Sequence, residues 1–432
     1  MNNTRVRKCL ATGIILLFVG TCIIPAIAQN TEKSQPSSKG NWLYVGGSGP
    51  GNYSKIQDAI DNASNGDTVF VFPGTYKERI VISQSITLQG ADLHTTIIDG
   101  QGTNSDIVTC IARDSVITGF SIRNCSISYS CLIINHTSNC IVIGNVIHTG
   151  GYGVTLRNAQ NISIINNSFF QILNGSSPPS IQRQTKAGYI GVKMDNCVFS
   201  TISKNRISSW DGGIFITGTH ILITQNSISD TKQGITDSMN ALPWINEYLT
   251  IKDNFLNNNR QGIHLFGSRY YSITHNQIKN STNIGIYIAE DIYSGVNPEN
   301  VTIEDNTITT SRYAIEADYG MNISIVGNQI LHNDLGLLLQ YNSRSSIKAN
   351  IFQDNNRTVF YLSSVFPLVI LQHKVPHFDN NYWNQAYSTP QPVFGRMNLF
   401  MPNMFFDSLN IFPWVTFDWH PAQEPYVIPG VK

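Results

Sequence analysis

The sequence predicts an all-β fold: a right-handed parallel β-helix solenoid of about 22-residue rungs, with an N-terminal capping helix and an aromatic C-terminal cap. Two repeating motifs predict it. The first is a column of nine asparagines: Asn145, Asn167, Asn205, Asn226, Asn254, Asn276, Asn306, Asn328 and Asn350. Four of the eight intervals are 22 residues, one is 21, and three are longer. Each asparagine follows a β-branched residue three positions upstream and precedes an apolar residue two positions downstream, as in "VTIEDNTI" and "YSITHNQI". Self-similarity at this period is the mark of a solenoid. The second motif is a glycine eight or nine residues later (Gly153, Gly213, Gly234, Gly262, Gly285, Gly336), opening short apolar runs such as "GIHL". Gly191 follows Asn167 only after an insertion, and Ala314 replaces the glycine in one rung.

Alternation of period two over short β-branched runs reads as strand. A rung then holds about three strands, each pairing with its copy about 4.8 Å away. Inward asparagines at a bend can bond to the amides above and below, as amides do in cross-β stacks. The glycines allow either a positive φ or a close backbone approach at the second bend. The leucine-rich repeat shares part of the frame but fails one test. Its first leucine falls where this chain has Cys197, Gly218, Ser268, Pro298, Gly320 and Asn342. A β-to-β crossover makes the coil right-handed.

In chain order, residues 1–28 read as an export signal. Arg5, Arg7 and Lys8 precede the apolar "GIILLFVGTCII", and Ala26-Ile27-Ala28 is a small-x-small cleavage site. Residues 29–40 read as a flexible leader and 41–66 as a capping segment, where Ile56, Ala59, Ile60 and Ala63 lie at helical spacing. The β-helix is expected over 67–384, with a last rung at Phe378, Asn381 and Trp383, and residues 385–432 as an aromatic lid. No later stretch is apolar for long enough to span a membrane. The expected location is therefore secreted, at the cell surface or in a periplasm-like space.

With 28 basic and 28 acidic residues the net charge is zero, and no basic stripe points to nucleic acid. Five cysteines follow the signal: Cys110, Cys125, Cys131, Cys140 and Cys197. Their odd number leaves at least one unpaired and their connectivity open.

The string "IQDAIDNASNGDTVFVFPGTYKERIVISQSITLQG" resembles the opening of NosD-like β-helix proteins of the pectin-lyase-like superfamily, which carry the carbohydrate-binding and sugar-hydrolysis (CASH) domain. "NNYWN" and "PWVTFDWHPAQEPY" resemble closing elements of secreted prokaryotic members. The resemblance spans roughly residues 42–428 and implies fold and export more than activity. The family's namesake supports copper-centre assembly of a reductase, whereas most relatives are surface proteins of unassigned role. Fold alone does not fix function.

Counting from each asparagine shows which side chains face outward. On the strand preceding it they are bland: Ser163, Thr201, Thr250, Ser272, Thr302, Ser324 and Ser346. On the glycine strand they are Lys193, Phe215, Thr236, His264, Tyr287 and Glu316, followed two residues on by Arg157, Asp195, Phe266 and Asp318. Two insertions leave this edge, 237–247 with Asp237, Trp244 and Glu247, and 289–299 with Glu290, Asp291 and Tyr293. A third insertion, 168–188, precedes its strand. Loops two rungs apart would frame a groove about 10 Å wide. Aromatic rings with convergent polar groups suit a sugar chain. The expected binding set is Lys193, Asp195, Phe215, Trp244, His264, Phe266, Tyr287 and Tyr293, with Glu316 and Asp318 as candidate catalytic carboxyls.

The reading favours binding of a polysaccharide or cell-surface glycan by a monomer over enzymatic cleavage. Polygalacturonase-type signatures are absent from the sequence. A lyase or hydrolase in the same groove, a copper-centre accessory protein and a structural surface protein are the alternatives. No cofactor is expected. The histidines occupy different columns, so their spacing does not support copper, and no dense aspartate cluster supports calcium.

Overall fold

The computed structural model describes residues 40–171, 189–237, 246–267, 269–365, 376–399 and 409–425. The expected signal, nearly all of the leader, most of the 168–188 insertion and Trp244 lie outside the described residues.

Three short strands recur in each turn, and each pairs in parallel with its counterpart one turn away. Ser272–Thr274, Gln277–Lys279 and Ile284–Ala289 form one such set. They pair with Glu299–Glu304, Thr307–Thr309 and Tyr313–Asp318 of the next turn. The strands just after the asparagines build a 13-stranded parallel sheet. Those just before them and the glycine strands build two further stacks. The protein is thus all-β, with long parallel sheets stacked as in a β-helix.

Side-chain alternation explains why these segments are strands. In Ser272–Thr274 and Gln277–Lys279 only the central isoleucine is fully buried. Ile273, Ile278, Ile286 and Ile288 of this turn are all 0% exposed. Burying each such side chain contributes about 2 kcal/mol. The apolar column therefore drives assembly, while the asparagines set the register.

All nine column asparagines are buried, and they form a directed ladder. Asn276 Oδ1 accepts from both the backbone N–H (3.0 Å) and the side-chain Nδ2 (3.0 Å) of Asn254. Asn276 Nδ2 in turn donates to Asn306 Oδ1 at 2.9 Å and to the backbone carbonyl of Ile251 at 2.9 Å. The same pattern recurs from Asn145 to Asn350 and continues to Asn381. There the buried Asp418 carboxylate accepts from Asn381 N–H, Asn381 Nδ2 and Trp383 Nε1. A shorter ladder runs through Asn333 and Asn355.

The glycines work differently from one of the two expectations. None of Gly153, Gly213, Gly234, Gly262, Gly285 and Gly336 is among the positive-φ residues. A Cβ on Gly213 would lie 2.3 Å from the carbonyl oxygen of Gly234. Close approach between turns is what excludes larger residues. The left-handed conformation falls instead on the residue just before each column asparagine, glycine at Gly144 and Gly327 but Asn166, Lys204, Gln225, Asp253, His275, Asp305 and Ala349 elsewhere. Strain of this kind persists where the surroundings over-determine it, and here a fully bonded asparagine follows each such residue.

At the N-terminal side, the helix Ile56–Asp61 buries Ile56, Ala59 and Ile60. It packs against Trp42–Val45, Thr68–Val71 and Ile80–Ile82. At the other end, Gln391–Leu399 and Leu409–Asp418 pair antiparallel. None of the described helices is long and apolar enough to cross a membrane.

Candidate functional site

The outward column of the glycine strands holds Lys193, Phe215, Thr236, His264, Tyr287 and Glu316, in register from turn to turn. Five steps of about 4.8 Å separate Lys193 from Glu316 by roughly 24 Å. The predicted set therefore divides. Lys193 and Asp195 form an ion pair at 2.9 Å near one end, and Lys193 also lies over the Tyr152 ring. Towards the other end His264, Phe266, Tyr287, Glu316 and Asp318 converge.

Ring contacts hold this second group. His264 lies 4.2 Å from Phe266 and 4.8 Å from Tyr287 between centroids. His264, Phe266 and Asp318 are buried despite their outward register. Tyr287 Oη donates to Asp318 Oδ2 at 2.9 Å, and Gln340 Nε2 donates to Glu316 Oε1 at 3.0 Å. Burial pushes the Glu316 carboxyl up to about 7, helped by the nearby Asp318 charge and opposed by the Gln340 hydrogen bond. Burial also raises Asp318 to about 6 against the hydrogen bonds from Tyr287 and Gln340. The same desolvation lowers His264 to about 4, so its ring is neutral. His264 Nε2 and Asp318 Oδ1 are buried and have no hydrogen-bond partner among the described residues.

A cavity of about 480 Å³ begins at Tyr319, the residue after Asp318, and neither Glu316 nor Asp318 lines it. The 289–299 insertion (Gly295 to Pro298), Arg269, Glu299, Tyr319 and Tyr341 supply most of its lining. Tyr319 and Tyr341 stack at 4.9 Å. Burial, then the charges of Tyr341, Glu290 and Asp318, raises the Tyr319 phenol, which ties the cavity electrostatically to Asp318 and Glu290. Arg269 and Glu299 face each other at 3.9 Å. Tyr293 sits exposed on the insertion, where Asp291 Oδ1 accepts from its backbone N–H.

Asp237 departs from its expected place on an outward loop. It registers with Ile216 on an inward column and is 2% exposed. Its carboxylate accepts from Phe266 N–H at 2.7 Å and Tyr271 Oη at 3.3 Å. Trp244 lies outside the described residues.

Sequence reasoning missed Gln340, Gln233 (Nε2 3.3 Å from His264 Nδ1) and the Tyr319–Tyr341 pair. It also missed an outer file at left-handed corners, in which Phe199, His220, Tyr248 and Tyr270 stack at 4.7, 4.7 and 5.0 Å. These rings pack on one another at the corners, as Tyr319 and Tyr341 do. The signal that would have found them is the residue six before each asparagine.

The profile of the family described as "Periplasmic copper-binding protein (NosD)" matches residues 172–389, just over half of the 432 residues. The chain belongs to the NosD family. Solved structures similar to this NosD-family chain are carbohydrate-active enzymes. A Yersinia enterocolitica family 28 exopolygalacturonase superposes with a TM-score of 0.54 at 12% identity, covering 75% of this chain and 76% of that one. The catalytic unit of a thermostable GH87 α-1,3-glucanase from Streptomyces thermodiastaticus gives 0.52 at 17% identity, covering 75% and 68%. At such identities the likeness concerns the fold. No curated protein matches the NosD-family chain in sequence.

Proposed function

We propose that this protein binds a neutral or basic oligosaccharide in the cavity lined by Tyr319 and Tyr341. Tyr319 and Tyr341 pack against sugar rings, while Arg269 and Glu299 hydrogen-bond to hydroxyls. The observation that carries the reading is one juxtaposition: a 480 Å³ cavity lined by the Tyr319–Tyr341 pair, Arg269 and Glu299, with Asp318, raised by burial to about 6, next in the chain to Tyr319. A carboxyl kept protonated donates as well as accepts, as a hydroxyl does. Glu290 and Glu299 outnumber Arg269 on this side, which disfavours a polyuronate. His264, Phe266 and Tyr287 form the packed support. Lys193, Asp195 and Phe215 are too remote to share the same ligand unless it is a long chain.

The test is calorimetric titration with neutral, amino-sugar and uronic-acid oligosaccharides. Binding to one of the first two, weakened about tenfold by Tyr341→Ala, is expected. No binding, or a preference for the uronate, would sink the proposal. A hydrolase at the same place is favoured by one observation, the elevated Glu316, since a general acid must be protonated at working pH. Release of reducing sugar that stops on Glu316→Gln would establish it.

Copper, carried by the family description, does not fit the described residues. Among them no three His, Cys, Asp or Glu side chains gather as a metal site. His264 has only Gln233 and aromatic rings as described contacts. We further read the coil as right-handed, the helix Ile56–Asp61 as its cap, and the protein as exported.

A further inference from the structure

We infer that the N-terminal turns carry two disulfide bonds, Cys125–Cys131 and Cys110–Cys140, with Cys197 left as the one free thiol of the coil. The inference rests on side-chain placement and not on the glycan reading. Cys125 and Cys131 hold their sulfurs 3.1 Å apart, and those of Cys110 and Cys140 are 4.0 Å apart. A disulfide needs roughly 2 Å, so side-chain rotation has about 1 to 2 Å to close.

The surroundings are shaped for the first pair. A Cβ on Gly150 would lie 2.1 Å from Cys125 Sγ and 2.8 Å from Cys131 Sγ, so only glycine leaves room above the two sulfurs. In the second pair both thiols donate to the same carbonyl, that of Ala112, at 3.4 and 3.2 Å. This brings two chain segments 30 residues apart onto one point. Cys197 has no such neighbour. Its thiol donates to the Asp195 carbonyl at 3.6 Å, and burial pushes it up to about 12.

Each pair also contains one sulfur suited to attack. The hydrogen bond from Cys131 lowers Cys125, and that from Cys110 lowers Cys140 to about 7. The thiolate is the nucleophile in thiol–disulfide exchange. The oxidant is a small-molecule disulfide or the disulfide of a thiol oxidase, as found in periplasmic and extracellular spaces. The thiolate attacks one sulfur of the oxidant, whose S–S bond breaks and releases a thiol. The second cysteine, losing its proton, then attacks the mixed disulfide, forms the protein S–S bond and releases the second thiol. Two electrons and two protons leave the protein for each bond made. Cys110, Cys131 and Cys140 are fully buried, so exchange takes place while the turns are still closing.

Tryptic mapping tests this directly on the exported wild-type protein and on the reduced, denatured chain refolded with oxidised glutathione. Both are alkylated under denaturing, non-reducing conditions. Residues 124–157 contain Cys125, Cys131 and Cys140 without an internal Lys or Arg, and residues 80–113 contain Cys110. The expected product is these two peptides joined, about 4 Da lighter than the sum of the reduced forms once the linkage is counted. Among the five coil cysteines only Cys197 is alkylated. In Cys140→Ser the peptides separate while the loss of about 2 Da within residues 124–157 persists. Alkylation of all five cysteines, or a linkage through Cys197 or between Cys110 and Cys131, would overturn the inference.

Discussion

The inner asparagine column and the outer face of the glycine strands rest on the same turns yet follow opposite rules. Inside, each asparagine from Asn167 to Asn350 meets another above and below, so one bonding pattern serves all these turns. Outside, each residue meets a different one: Thr236 beside His264, His264 beside Tyr287, Tyr287 beside Glu316. The repeated asparagines satisfy one another's amides, whereas on the outer face His264 Nε2 and Asp318 Oδ1 have no hydrogen-bond partner among the described residues. The solenoid thus separates the ladder that holds it up from the varied face it offers a ligand.

The largest effect should come from breaking the repeat. Asn276→Ala leaves the backbone N–H and Nδ2 of Asn254 without their acceptor and deprives Asn306 Oδ1 and the Ile251 carbonyl of a donor. Urea unfolding should show a loss of about 4 kcal/mol, since each buried group left unsatisfied costs about 1–3 kcal/mol. Phe215→Ala on the outer face should cost less than about 1 kcal/mol. Similar losses for the two variants would erase the contrast.

A smaller effect should appear in the pH dependence. Unfolded carboxyls titrate near 4, whereas Glu316 and Asp318 in the folded chain titrate at about 7 and about 6. Between these values the folded state holds more protons, so their contribution is complete below about pH 4 and is lost as pH rises towards 7. Glu316→Gln should flatten that fall. Thermal melts should show the variant gaining about 1 kcal/mol on wild type between pH 4 and 8, a figure reduced for partial solvent screening. An unchanged slope would mean the carboxyl is solvated. His264 acts in the opposite sense: lowered to about 4, it costs stability as pH falls below its unfolded value near 6.5.

The smallest effect concerns the corner file. Tyr248 stacks between His220 and Tyr270. Tyr248→Ala should cost about 1 kcal/mol and leave oligosaccharide affinity unchanged. Lost affinity would move the ligand from the cavity to this file.

The inward half of the molecule was legible because it is periodic. Ile273 and Ile303 identify themselves by their distance from an asparagine, and so does the final Asn381. Outward contacts were legible only as columns. Glu316 and Gln340 are 24 residues apart and look unrelated until the register joins them. Asp237 misled because an insertion begins at it, although its own position is still an inward strand position. The left-handed corners were hidden for another reason. Glycine is the usual signal for positive φ, and here residues as different as Lys204, His275 and Ala349 adopt it under the constraint of the bonded asparagine beside them.

The ladder also has a direction. Every side-chain amide donates towards the next turn, so the C=O and N–H dipoles of ten asparagines from Asn145 to Asn381 point the same way. Like the peptide dipoles of an α-helix, aligned amides sum to a partial positive charge at the donor end. Asp418 places a carboxylate on that end and takes up its last donors. The coil therefore has an electrical polarity with its own counter-ion. A chain cut before Asp418 would expose a terminus that attracts anions and presents unpaired donors to the next molecule it meets.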